Sequence, residues 1–155
     1  MAQHTYHTRT TWTGALEHGT KNYKSYSRDY TVSTDGKADI LGSSDPAFRG
    51  DPARHNPEDM LVASVSACHM LWYLHLCAVN NVVVTSYTDD AEGVMVEGKD
   101  VIAKFEKITL RPRITISGQS DMETAMSLHA VANKECFIAN SLNCPVAHEP
   151  VIERG

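Results

Sequence analysis

The sequence holds no C-x2-C pair, no G-x-x-x-x-G-K, no G-x-G-x-x-G and no block of basic residues. Structural zinc sites usually carry cysteines about two to four residues apart, so the first absence argues against a zinc knuckle. The next two leave no phosphate-cradling loop. With 14 basic against 19 acidic residues, a formal net charge of -5 and a pI near 5.9, nucleic acid is not expected as a partner. Cysteine is sparse: Cys68, Cys77, Cys136 and Cys144, with 8, 58 and 7 residues between them. That spacing is not a secreted disulfide framework. The opening Met1-Ala2-Gln3-His4-Thr5-Tyr6 lacks the basic and apolar regions of a signal peptide.

Charge is also missing from Met60 to Thr88, where no Asp, Glu, Lys or Arg occurs. About 20 apolar residues can cross a membrane. Here Ser64, Ser66, His69 and His75 interrupt the run, Asn80-Asn81 closes it, and no basic cluster flanks it. The stretch reads as a helix apolar on all sides inside a soluble domain, with no membrane involved. The expected setting is the reduced cytoplasm. What is present suits one domain over residues 1–155: 42% hydrophobic residues, and a length that buries roughly 68–70% of the unfolded surface.

Residues 4–17, rich in Thr and aromatics, read as a strand, and Tyr23 to Thr34 as a second. Asp35-Gly36 is a hairpin signal, with Lys37 to Leu41 returning. Pro46, Gly50 and Pro52 make Gly42 to His55 a loop. Asn56-Pro57-Glu58-Asp59 then places an N-cap, a Pro at the first helical position and two carboxylates in the first turn. The helix is predicted over Pro57 to about Val79. Val82 begins a strand, Gly93 and Gly98 mark turns, and Ile108, Leu110, Ile114 and Ile116 alternate as a strand with Pro112 at an edge or bulge. Ser120-Asp121-Met122-Glu123 is a capping box for a second helix. Its stripe is Met122, Ala125, Met126, His129, Ala132, Cys136 and Ala139, and it should stop near Ser141, before Pro145. Val146 to Glu153 forms a last strand. Strands, helix, strands, helix, strand is an α+β order.

A thiolate is the strongest nucleophile available to such a chain. Cys68 and Cys77 are nine residues apart, about half a rotation and about 13.5 Å of rise, so they cannot meet on one helix. Cys136, on the stripe of the other helix, is the natural partner for Cys68. Cys77 and Cys144 read as structural, since free cysteine commonly packs as a small hydrophobe. His75 shares the face of Cys68 but lies about 10.5 Å along the axis, too far for a base. His69 and His75 read as polar members of a packed helix. His129, Cys136, Cys144 and His148, spaced H-x6-C-x7-C-x3-H, lack a metal-knuckle pattern.

Asn56-Pro57-Glu58-Asp59-Met60-Leu61, followed by Ala67-Cys68, resembles the N-P-E-x-L…A-C signature of the OsmC/Ohr superfamily of thiol peroxidases. His129 to Ser141 resembles the second cysteine helix of that family, with Cys136 in place, and Thr11-Trp12-Thr13-Gly14 fits as well. The resemblance covers nearly the whole chain. It implies an OsmC-like fold of antiparallel sheets around a long central helix and a second helix, in an intertwined homodimer. It implies a Cys68 thiolate that attacks an organic hydroperoxide, a sulfenic acid that condenses with Cys136 to a disulfide, and an external dithiol as reductant. No cofactor is required. A non-enzymatic redox-sensing or apolar-ligand-binding module of the same fold is the alternative. Phe137 departs from the Pro that usually follows the second Cys in the hydroperoxide branch.

The resemblance also requires an arginine, and Arg49 is the best placed, with Arg54 and Arg28 as alternatives. The physical need is quantitative. A thiol of pKa about 8.5 is roughly 3% thiolate at pH 7, and lowering it to about 6 gains about thirtyfold. Nucleophilicity falls by about tenfold over that change. Acidity alone therefore yields a few-fold, and guanidinium donors must stabilise the charge growing on the peroxide oxygens. Glu58 would orient that arginine by a bidentate pair. Glu58 and Cys68 are about 15 Å apart along one helix, so Glu58 serves Cys68 only through a long reach or in a partner subunit's site.

Overall fold

The computed structural model describes residues Met1–Gly155. Its contacts divide into two compact units, Met1–Met60 and Leu61–Gly155.

The first unit is a three-stranded antiparallel sheet of β1 (Arg9–Trp12), β2 (Tyr30–Ser33) and β3 (Ile40–Gly42). The strands are shorter than the Thr- and aromatic-rich runs suggested. Residues 13–29 instead form a loop closed by Trp12 Nε1 donating to the Ser27 carbonyl at 2.9 Å and by Ser27 N–H donating to the Gly14 carbonyl. The β2–β3 hairpin turns at Asp35-Gly36, with Gly36 at φ 74°, where glycine carries no Cβ penalty. Helix α1 (Pro57–Val79) starts at the predicted residue. Asn56 Oδ1 accepts from Asp59 N–H at 2.7 Å, while Asp59 Oδ2 accepts from Asn56 N–H, a reciprocal cap.

The second unit contains β4 (Val84–Asp89), β5 (Glu92–Gly98), β6 (Val101–Leu110), β7 (Pro112–Ile116), α2 (Met122–Glu135), α3 (Phe137–Asn140), β8 (Val146–His148) and β9 (Val151–Arg154). They build two sheets, β4-β7-β9 and β5-β6-β8. Most pairings are antiparallel as expected, but β6–β8 and β7–β9 are parallel. Three chain segments change sheet together: β4 to β5 at Asp90-Ala91, β6 to β7 at Arg111, and β8 to β9 at Glu149-Pro150. Pro112, read as an edge or bulge, opens β7, where its missing N–H costs no ladder bond. At this crease Asp89 accepts from Arg111 N–H at 2.7 Å, and the Arg111 guanidinium pairs with Glu92 and Glu149.

Several sequence expectations shift by a residue or a role. Gly93 lies inside β5, not in a turn; a Cβ there would meet Phe105 and Val62 within 2.6 Å, so close packing explains the glycine. The cap of α2 is Asp121, which accepts from Thr124 N–H at 2.7 Å. Ser120 is instead spent on Val83 N–H and the Ser117 hydroxyl. The helix ends at Glu135, before the predicted Ser141, because Cys136 is extended (φ -67°, ψ 108°) and caps the separate turn α3.

Two apolar clusters fill the second unit. Tyr73, Cys77, Val82, Ile114, Ile116, Ala125, Leu128 and Ala132 join α1 and α2 to sheet β4-β7-β9. Val65, Ile108 and Leu110, with Ile138, Leu142 and Cys144 against them, join α1 and α3 to sheet β5-β6-β8. Helix α1 thus crosses both sheets, with its early turns on one and its late turns on the other. Its buried residues are Val65, His69, Tyr73 and Cys77, a single stripe spaced by four. Its other faces are apolar as expected but stay partly open within one chain: Leu71 is 63% and Val79 61% exposed.

Candidate functional site

Cys68 and Cys136 come together in the second unit. The two thiols are close enough for Cys68 to act on the titration of Cys136, and none of the four cysteines is in a disulfide. Cys68 is half-buried on α1, and Cys136 is fully buried at the break between α2 and α3. The break is what places it: the Cys136 Sγ accepts from Ala139 N–H at 3.4 Å in the position of a helix cap. Burial, and then the neighbouring Cys68 thiol, push the Cys136 thiol up to about 11, so it is protonated at neutral pH. Cys77 is buried beside Tyr73 and its thiol is also raised by burial. Cys144 is half-buried against the Val65 cluster. The pair is thus one accessible and one enclosed thiol on separate elements, the arrangement for oxidation at one sulfur and capture by the other.

Along the helix from Cys68 lies an apolar recess of about 300 Å³ lined by Leu71, Trp72 and His75. Trp72 packs edge-on to His75 at 5.9 Å and to Phe137 at 5.5 Å between ring centroids. Phe137, the departure from the family pattern, therefore adds an aromatic ring next to the residue that holds the second thiol.

The arginine candidates all lie in the first unit and differ in how fully they are used. Arg54 pairs with Asp29 at 3.8 Å and Asp51 at 3.7 Å. Arg28 donates to the carbonyls of Tyr26 and Tyr23, both at 2.9 Å, with its guanidinium over both rings. Arg49 has left-handed backbone (φ 65°) and its guanidinium stands 5.8 Å from the Tyr23 ring centre, with no ion pair. Glu58 makes no ion pair with an arginine of the chain; its carboxylate, after burial, is what raises the Tyr30 phenol.

The sequence reading passed over a polar cluster at the crease. His69 Nε2 and His129 Nδ1 are 3.1 Å apart, and both residues are buried. His148, at the end of β8, has its ring 5.7 Å from that of His69. Tyr73 stacks on His129 at 3.8 Å and donates to the Ala125 carbonyl at 3.1 Å. Ser66 donates to Asp89 at 2.6 Å. Burial lowers His69 to about 4, helped by His148 and opposed by Asp89, and lowers His129 to about 3. No three His, Cys, Asp or Glu side chains are grouped to hold a metal ion. The available signal was His69 and Tyr73 at i and i+4, on the stripe that also carries Val65 and Cys77.

An α+β unit with a two-sheet layer, a long helix and a facing thiol pair defines a class of cysteine proteins. The family of OsmC-like proteins matches residues 50–150, and the chain belongs to it. An OsmC-like protein of unknown function from Vibrio cholerae shares 32% identity and a TM-score of 0.84, covering 97% of this chain and 100% of that one. An organic hydroperoxide resistance protein OsmC from Legionella pneumophila has 18% identity, a TM-score of 0.70 and 99% coverage of each chain. The organic hydroperoxide resistance protein OhrB of Bacillus subtilis has 16% identity and a TM-score of 0.62, over 98% of this chain and 100% of that one. These last two share the fold with this chain. No curated protein matches the sequence. Within this fold α1 is a core helix, not a membrane span.

Proposed function

We propose that the protein is a cysteine-based peroxidase for organic hydroperoxides, working as a homodimer in the cytoplasm. The observation that carries this reading is the neighbouring pair of a half-buried Cys68 and a buried, protonated Cys136. The Cys68 thiolate attacks the distal peroxide oxygen, the O–O bond breaks, and an alcohol leaves after taking a proton. Cys68 becomes a sulfenic acid. The Cys136 sulfur displaces its oxygen as water, giving a Cys68–Cys136 disulfide, and an external dithiol restores both thiols. The recess lined by Leu71, Trp72 and His75 favours an apolar substituent on the peroxide.

Of the three arginines, Arg49 is assigned the charge-stabilising role because its guanidinium is not committed to carboxylates or carbonyls. Glu58 is assigned to orient it. The exposed apolar faces of α1, Leu71 and Val79 among them, are assigned to a second copy of the chain, which would complete the burial that one copy leaves undone.

The test is one equivalent of cumene hydroperoxide added to reduced protein, followed by peptide mass spectrometry, with Cys68→Ser beside it. Rapid formation of a Cys68–Cys136 disulfide, absent in the variant, is the expected result. Four intact thiols with the peroxide unconsumed would overturn the reading and leave an apolar-ligand module in its place.

A further inference from the structure

We propose that the His69–His129 hydrogen bond is a positioning joint, holding α1 and α2 in the register at which the Cys68 and Cys136 thiols can close a disulfide. The proposal rests on the reading above only for the use made of that disulfide. His69 follows Cys68 directly in α1, and His129 lies two turns before Cys136, at whose backbone α2 ends. The 3.1 Å contact between their ring nitrogens therefore ties together the two elements that carry the thiols. Tyr73 stacks on His129 and bonds the Ala125 carbonyl, so the joint has two steps, 69 to 129 and 73 to 125, along antiparallel helices.

The pair is an expensive way to fill a core. Two neutral imidazoles share one N–H···N bond, and whichever ring donates, His69 Nδ1 and His129 Nε2 remain buried without partners. Apolar residues of similar volume would avoid that cost. What they would not supply is direction: an apolar contact tolerates sliding, whereas this bond fixes one ring nitrogen against another. A disulfide needs that precision, because its Cα atoms must lie about 4.4–6.8 Å apart with a defined dihedral. Both histidines are positioning residues, hydrogen-bonded to each other and not to either sulfur.

The test is the equilibrium of reduced protein with mixtures of reduced and oxidised glutathione, in which one oxidised glutathione takes two hydrogens from the thiols and leaves two reduced glutathiones. The fraction of Cys68–Cys136 disulfide is read by mass spectrometry for the wild type, for H69L, and for H69Q combined with H129N. In that double variant the introduced side-chain amides sit where Nε2 and Nδ1 were and can restore the bond. The expected result is a fall of at least tenfold in the equilibrium constant for H69L, about 30 mV in potential, and recovery to within threefold in the amide pair. If H69L does not fold, as judged by circular dichroism, H129Q is read instead; it keeps polarity but moves the amide by one bond, and the same loss is expected. A wild-type constant in the folded broken-joint variant, or an amide pair as poor as that variant, overturns the proposal. No peroxide is used, so failure to consume hydroperoxide would sink the peroxidase reading without touching this measurement.

Discussion

Acid should unfold this protein early, and the buried histidine pair sets how early. His69 and His129 are lowered from 6.5 to about 4 and about 3, mainly by burial. In the unfolded chain both protonate near the ordinary value. A lowered histidine favours the folded state above the unfolded pKa, and that contribution is lost as pH falls from about 6.5 towards the folded values. At pH 5 each unfolded histidine is about 97% protonated, and the linkage costs about 2 kcal/mol for each, or about 4 kcal/mol for the pair. That is a large share of the roughly 5–15 kcal/mol typical of a domain. His148 is lowered in the same direction, and Asp89 opposes the shift at His69. Urea titrations at pH 7.5 and pH 5 measure the difference. The control is H69Q combined with H129N, which cannot titrate at these two positions. The wild type should lose about 4 kcal/mol more than this variant between the two pH values. Equal losses would refute the account and assign acid sensitivity to other groups.

Four further outcomes are expected. Iodoacetamide at pH 8 should label Cys68 well before Cys136 and Cys77, which are buried with raised thiols; peptide mapping checks the order. Gly93→Ala should destabilise by about 1–3 kcal/mol in urea, since its Cβ would press on Phe105 and Val62. Arg49→Ala should slow peroxide consumption by about 10²-fold or more, with Arg54→Ala far milder, in a coupled turnover assay. Leu71→Glu should shift a dimer towards monomer in sedimentation, because it puts a charge on the exposed apolar face of α1.

Local chemistry made much of this protein readable from its residues. Asn56-Pro57 announced the start of α1 because a cap and a fixed φ act within a few residues. Asp35-Gly36 announced its turn for the same reason. The alternation of Ile108, Leu110, Ile114 and Ile116 showed extended chain but read as one strand, whereas the chain changes sheet at Arg111 and makes two, β6 and β7; the residues around Cys68 and Cys136 showed the family. The α+β class followed from the order of these elements. The misreadings were equally physical. Ser120 looked like a cap by spacing, but Val83 N–H and Ser117 claimed its hydroxyl, and Asp121 took the task. Gly93 looked like a turn, because sequence cannot distinguish a glycine that bends from one that makes room.

The two thiols, the elements that carry them and the long apolar helix are all properties of short segments, and short segments were enough to read them. Folding had to establish that α2 breaks at Cys136, that its thiol lies beside Cys68, and that Arg28 and Arg54 are tied to carbonyls and carboxylates while Arg49 only faces the Tyr23 ring. Folding also turned His69, His129 and His148, up to 79 positions apart in the chain, into one cluster at the crease where three segments change sheet. Periodicity says which face of a helix is buried, but not what it is buried against. Partners come from chain folding across long separations, and it is the partner that makes a histidine a packing residue, a proton site or a joint.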